Sequence, residues 1–313
     1  MKILITGGAG FIGSHLCDAL LAQGHAVVAV DDLSLGREDN IAHLANNPAF
    51  AFWHQDMLDL DRLRSRCAPE GFEAVFHMAA NSDIAVSHDD PGVDLRKTFQ
   101  TTCAALALMR ELGIKNIVFA STSAVYGEAK GLLSENLGPL LPVSHYGACK
   151  LASEAIISSY AANYGLKAWI LRFPNVVGER ATHGAIFDFI RKLRARPTEL
   201  EVLGNGEQIK PYLYVKDLVE AMLYVWSRAD DAVNLFNIGV ESRTAVKDIA
   251  RMVIEEMQLP ATIRYTGGER GWIGDVAAFE YDLSRIHALG WHARTTSDQA
   301  VRHSIRHILG KGD

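Results

Sequence analysis

The sequence predicts an α/β fold, a doubly wound parallel sheet with a smaller, interwoven C-terminal domain. Three observations support this. Residues 2–32 spell a complete strand, glycine turn, helix and second strand; strand-length apolar runs then alternate with helical patterns to residue 173; and no repeat or low-complexity linker separates the halves. In the first unit Ile3, Leu4 and Ile5 form a short apolar strand, and Gly7, Gly10 and Gly13 follow at GxxGxxG spacing. The leading glycines permit a tight turn that brings backbone N–H groups against a pyrophosphate, and Gly13 lets the helix lie close to the sheet.

Ile12, Leu16, Ala19 and Leu20 keep helical spacing, Gly24 stops the helix, and the apolar run Ala26 to Val30 ends in Asp31. An acid at that point accepts hydrogen bonds from both adenosine ribose hydroxyls and repels a 2′-phosphate, which favours NAD over NADP. An Asp that merely ends a strand is the plainer reading, and the completeness of this Rossmann unit outweighs it.

Phe50 to His54 is a third strand closing on Asp56, an acid placed to meet the adenine amino group, although a turn or helix-capping role fits the spacing equally well. Ala74 to His77 is the fourth, and the small residues after it, Ala79 and Ala80, let a flat cofactor lie against the backbone. Pro91 to Leu112 has the spacing of a long helix ending at Gly113. Ile117 to Ala120 is a buried strand followed by Ser121, Thr122 and Ser123, hydroxyls at the carboxyl end where ligands of this architecture bind; capping and turn formation are their ordinary uses. Tyr146 and Lys150 share one face of a helix running to about Tyr164. A free phenol is only about one part in a thousand ionised at pH 7, so a tyrosine base needs a cation beside it.

Ala168 to Phe173 is the sixth strand. Beyond it come a helix from Gly184 to Arg194, an amphipathic helix from Leu218 to Trp226 led by Tyr212 to Val215, a strand from Asn234 to Gly239, and helices over 246–257 and 297–309. The expected division is residues 1–172 plus 212–238 for the NAD-binding domain and 173–211 plus 239–313 for the substrate domain.

A net charge of -6 without a long basic tract argues against nucleic acid. Cys17, Cys67, Cys103 and Cys149 lack CxxC pairing, which suggests reduced thiols rather than a zinc site or disulfides, and no metal is expected; His303 and His307 share a helical face without a third ligand. No signal peptide or membrane-length apolar run is visible, so the expected location is cytoplasmic.

The motifs TGGAGFIGSHL, VDDLSLG, HMAA, FASTSAVYGE, YGACK, RFPNVVGER, GNGEQIKPYLYVKDLVEA, FNIG and RGWIGDV follow in the order found in the extended short-chain dehydrogenase/reductases that act on nucleotide sugars, which this chain resembles over nearly its whole length. The resemblance is greatest to the 4-epimerase branch. It implies NAD held by Gly7, Gly10, Gly13, Asp31 and Asp56 with Ala79 beside it, and it extends the cofactor set to Phe11, Ile12, Asp32, Met57, Ala80, Tyr146 and Lys150. It implies Ser123, Tyr146 and Lys150 as the catalytic trio, and a nucleotide-sugar site at Ser123, Asn175, Lys210, Tyr212, Arg270 and Asp275. The implied reaction is C4 epimerisation of a UDP-hexose through a transient 4-keto sugar, by a homodimer paired through the helices that begin near Pro91 and Tyr146.

The chain departs from that pattern at Thr98 and Thr101, where Asn and Gly are usual, and at Lys210-Pro211, where Arg-Asp is usual and the bidentate fork is lost. Trp272 and Ile273 are extra residues between Arg270 and Asp275. A 4,6-dehydratase would carry Asp-Glu after the active-site hydroxyl, where this chain has Ala124-Val125, and a sugar-acid decarboxylase would carry Glu there. A 4-dehydrogenase or 4-reductase with net hydride transfer is the stronger rival. A non-catalytic NAD-binding sensor fits poorly with an intact Ser123, Tyr146 and Lys150.

Overall fold

The computed structural model describes residues 1–82, 87, 90–268 and 278–311. The chain forms two compact units: residues 1–126, 141–172 and 222–236 make the first, and residues 127–140, 173–221 and 237–313 the second.

The first unit is built on a seven-stranded sheet of β1 (Lys2–Thr6), β2 (Ala26–Asp31), β3 (Phe50–His54), β4 (Ala74–His77), β5 (Asn116–Thr122), β6 (Lys167–Phe173) and β7 (Val233–Asn237). Their order is β3-β2-β1-β4-β5-β6-β7, and the pairs β1–β2, β1–β4, β2–β3 and β4–β5 are parallel. This is the predicted Rossmann sheet, and its order reverses between β1 and β4, the switch point at which such sheets bind ligands. The strands are near-continuous apolar runs because helices cover both faces. Leu4, Val28, Val75, Ile117 and Phe119 enter one core with residues of α2 (Leu60–Cys67), α3 (Thr101–Leu112) and α4 (His145–Tyr164). α1 is Phe11–Ala22. Phe76 meets Trp226 with ring centroids 5.1 Å apart.

The helix expected from Pro91 is interrupted. Residues Leu95–Gln100 are π-helical before α3 begins at Thr101. Thr101 Oγ1 donates to the Lys97 carbonyl at 2.8 Å, and Thr102 Oγ1 donates to the Thr98 carbonyl at 2.8 Å, side-chain bonds that compete with the regular ladder. Thr98 is itself buried, its Oγ1 accepting from the Asn81 N–H at 3.1 Å.

Behind the carboxyl ends of β5 and β6 lies a buried ion pair. Arg172 Nε donates to Glu154 Oε1 at 2.9 Å and Arg172 Nη1 to the Tyr126 hydroxyl at 3.0 Å, while Ser121 Oγ donates to the same glutamate. Both side chains are under a tenth exposed, so removing one partner strands the other charge.

In the second unit, Asn175–Val177 pairs in parallel with Tyr212–Tyr214, Ile209–Lys210 pairs antiparallel with Thr244–Ala245, and Thr262–Tyr265 pairs with Glu199–Val202. Helices Ala185–Ala195, Val246–Met257 and Ser297–Ile308 present apolar stripes to its core, as their sequence spacing predicts. Among the described residues no helix is long and apolar enough to cross a membrane.

Arg172→Met is expected to lower the unfolding free energy by about 3–5 kcal/mol, read as a lower urea midpoint, because Glu154 is left buried and unpaired. Adding Glu154→Leu should recover most of the loss, and an unchanged midpoint in the single variant would contradict this account.

Candidate active site

The glycine turn is built so tightly that side chains are excluded. Gly7 has φ +68°, and a Cβ there would meet the Ala79 nitrogen at 2.8 Å; a Cβ on Gly13 would meet the Gly7 carbonyl oxygen at 2.1 Å. Gly10 is the N-cap of α1 and offers no side-chain cap, and no acid occupies the first turn. The leading N–H groups at Phe11 and Ile12 are thereby left to an anion, and the residues present fit the pyrophosphate of a dinucleotide.

Asp31 ends β2 and is 7% exposed. Its carboxylate accepts from the Ala9 N–H at 3.0 Å and the Leu33 N–H at 2.8 Å, so it braces the glycine turn. Burial raises its pKa, against the pull of those backbone donors. Burial also presses Asp32 upward, but hydrogen bonds from Lys97 and Ser34 outweigh it and hold the carboxyl below its ordinary range. Lys97, which sequence spacing did not single out, also lies 3.9 Å from Asp56. The π turn carries this lysine to Asp32 and Asp56, two acids of the expected cofactor set. Asp56 Oδ1 accepts from the Leu58 N–H at 2.9 Å, the ordinary turn contact its spacing allowed, and Met57 is a core residue. Ala79 backs onto Gly7 and its N–H donates to Thr6 Oγ1 at 3.2 Å; Ala80 follows, partly exposed.

Lys150 is 2% exposed, and its ammonium donates to the Ala120 carbonyl at 2.7 Å. It stands 4.7 Å from the centre of the Phe119 ring and 5.8 Å from that of Tyr146. Burial lowers its pKa to about 7, against the opposing pull of Glu154 and Asp94. Burial, then the negative charge of Asp94, pushes the Tyr146 phenol above its ordinary value, while a hydrogen bond with Thr122 pulls the other way. The expected support of the phenolate by a neighbouring cation therefore meets an opposing desolvation.

Thr122, the last residue of β5, is the hydroxyl bonded to Tyr146. Ser123, expected in that place, is the first residue of the following 3-10 turn, Ser123–Tyr126. The signal that separates them is the strand end: β5 runs two residues past Ala120, so Thr122 rather than Ser123 is its terminal residue. Sequence reading also passed over His77. It is fully buried, with Nδ1 2.7 Å from Thr6 Oγ1 and Nε2 3.1 Å from Thr102 Oγ1, and burial lowers its pKa to about 3. Ser153 Oγ donates to that same Thr102 hydroxyl at 3.1 Å, so a buried polar chain links β1, β4, α3 and α4 beneath the site.

In the second unit, Asn175 and Tyr212 are register partners, and Lys210 lies two residues before Tyr212, across Pro211. Lys210 and Tyr212 are buried, and the Tyr212 N–H donates to Ser297 Oγ at 3.1 Å. Arg270 and Asp275, with Trp272 and Ile273, lie outside the described residues.

A family model described as the NAD dependent epimerase/dehydratase family matches residues 3–239. The chain belongs to that family. NAD is accordingly its cofactor, in agreement with the Asp31 and glycine-turn geometry. It is 29% identical over 317 residues to the UDP-glucose 4-epimerase of Mycolicibacterium smegmatis, covering 99% of both chains. Among solved structures it is similar to a UDP-galactose 4-epimerase at 37% identity, TM-score 0.88 and 99% of both chains. The dTDP-glucose 4,6-dehydratase DesIV of Streptomyces venezuelae, solved with NAD bound, is similar at 25% identity and TM-score 0.90, covering 99% of this chain and 97% of that one. Epimerase and dehydratase thus share this backbone, and side chains must separate the reactions.

In cofactor-free protein labelled with carbon-13 lysine, the Lys150 resonance, identified by its loss in Lys150→Met, is expected to titrate near pH 7. Below that pH the ammonium is present and its burial disfavours folding; as pH rises toward the ordinary lysine value of about 10.4 the unfolded chain holds the extra proton and the penalty is relieved. Titration of every lysine in the ordinary range would contradict the assignment.

Proposed function

We propose that the protein catalyses C4 epimerisation of a UDP-hexose of the UDP-glucose/UDP-galactose type through a transient 4-keto sugar. The observation that carries the reading is the Thr122–Tyr146 hydrogen bond with the Lys150 ammonium behind it, in a chain without the acids of a dehydratase. Counted from Thr122, the next residues are Ser123 and Ala124, so the shift of the active hydroxyl by one position brings no acid into that place. The full-length similarity to a UDP-glucose 4-epimerase supports the same reaction.

Bound NAD supplies a hydride acceptor that can return the hydride, and a positive ring beside the phenol. Tyr146 takes the proton from the sugar 4-hydroxyl as C4 is oxidised and gives it back on reduction. Thr122 hydrogen-bonds the same oxygen and steadies it in both states. Lys150 favours the phenolate electrostatically and, through the Ala120 carbonyl, fixes the helix that carries Tyr146. In this reading the first unit holds NAD through the glycine turn, Asp31, Asp32 and Asp56, and the second holds the nucleotide sugar through Asn175, Lys210, Tyr212, Arg270 and Asp275. Lysine at 210 gives a point charge where an arginine would grip bidentately, so nucleotide affinity rests more on the other contacts.

A proton NMR time course of UDP-galactose with a trace of NAD tests the proposal. Conversion to UDP-glucose well beyond the NAD present is expected; loss of UDP-galactose capped at the NAD added, with the 4-keto sugar and NADH accumulating and no UDP-glucose formed, would replace epimerisation with a net 4-dehydrogenase. Tyr146→Phe should reduce turnover by about a hundredfold or more. Thr122→Val should do likewise and Ser123→Ala should cost less than tenfold, taking about a hundredfold as the loss for one aimed donor; the reverse order would return the role to Ser123.

A further inference from the structure

Among the described residues, Glu241, His287 and His292 each bring one ligand atom to within 4.8 Å of the others. All three belong to the second unit, whereas Tyr146 and Lys150 belong to the first. Local chain geometry builds the cluster. His287 lies in the helix Ser284–Leu289, which Gly290 terminates at φ +100°. The Gly290 N–H donates to the His287 carbonyl at 2.9 Å and the Trp291 N–H to the Ile286 carbonyl at 3.3 Å, reversing the chain. Trp291 is only 3% exposed and anchors the reversal, so His292 folds back over His287 with ring centroids 4.1 Å apart and planes at 26°.

Glu241 arrives from the connection between Val233–Asn237 and Thr244–Ala245. That connection is seated where Gly239 backs onto Tyr281 and Leu283, a Cβ at 239 coming within 2.9 Å of the tyrosine ring. The same segment leads into the helix of His287, so both sides of the cluster are tied to one buried anchor. The Glu241 carboxylate stands 3.8 Å from His287 Nδ1 and is 79% exposed.

We propose that Glu241, His287 and His292 bind a divalent transition-metal ion of the zinc type, through two imidazole nitrogens and one carboxylate oxygen, with the fourth position taken by water. Two histidines and a carboxylate are a recognised donor set for zinc, and imidazole selects this class of ion over magnesium or calcium. Bonds of about 2.0–2.2 Å place tetrahedral ligand atoms about 3.4 Å apart. The Glu241–His287 separation is already close to that, and rotation of the exposed Glu241 and His292 side chains closes the rest. Bound there, the ion ties the 238–243 connection to the end of the helix, on the wall of a cavity of about 240 Å³ that Glu241, Arg243, Asp282 and His287 help line. Its role is structural. The ligands are scattered at 241, 287 and 292, which is why spacing alone indicated no metal.

Tag-free protein stripped with EDTA should be titrated with zinc against a chromophoric chelator, comparing the natural chain with Glu241→Gln and His292→Ala. Both positions are exposed, and metal-free thermal midpoints equal to that of the natural chain verify that the variants fold. The natural chain is expected to hold one zinc that each variant binds more than tenfold more weakly, about the least that loss of a supporting contact costs a metal site. Zinc should also raise its thermal midpoint and leave those of the variants unmoved. Equal zinc affinity and stoichiometry in all three proteins would overturn the site.

Discussion

The placement of one ammonium group, Lys150, constrains the rest of the active site. It is almost wholly removed from solvent, held by the Ala120 carbonyl within β5 and flanked by the Phe119 and Tyr146 rings. Burying a cation is costly unless charge and hydrogen bonding offset it. Glu154 and Asp94 provide the opposing charge, and Glu154 is in turn fixed by Arg172 and Ser121. The ion pair behind the sheet, the strand end and the helix of Tyr146 are therefore parts of one electrostatic arrangement, and neutral His77 carries a hydrogen-bonded path beneath it from β1 to α4.

That arrangement is not poised by itself. Desolvation drives Tyr146 toward its neutral form and Lys150 toward loss of its proton, so the pair favours phenolate and ammonium only when charge or substrate alters the site. A base that stays protonated until a ligand arrives suits the proposed epimerisation, in which a reactive keto sugar must be made and consumed without leaking. The glycine turn supplies the complementary rigidity. Gly7 and Gly13 leave no room for a side chain, and Asp31 ties the turn to β2, so the cofactor cradle is largely preformed.

Much of this was legible in the residues. The first βαβ unit, Phe50–His54, Ala74–His77 and the helix through Tyr146 and Lys150 follow directly from apolar period and glycine placement. What was hidden depends on tertiary contacts. The π turn arises because Thr101 and Thr102 donate to backbone carbonyls, and no hydrophobic period announces it. Lys97 reaches Asp32 and Asp56 across 65 and 41 residues, and nothing local marks it as different from a surface lysine. Thr122 and Ser123 are adjacent hydroxyls whose roles depend on where β5 ends, and strand ends are poorly fixed by sequence.

The claim that Lys150 makes Tyr146 a usable base is tested most directly by ultraviolet titration of the phenolate in the NAD-loaded protein, with the Tyr146→Phe signal subtracted. The account predicts that the Tyr146 phenolate forms at lower pH in the natural chain than in Lys150→Met. Ionisation at the same pH in both proteins would contradict it.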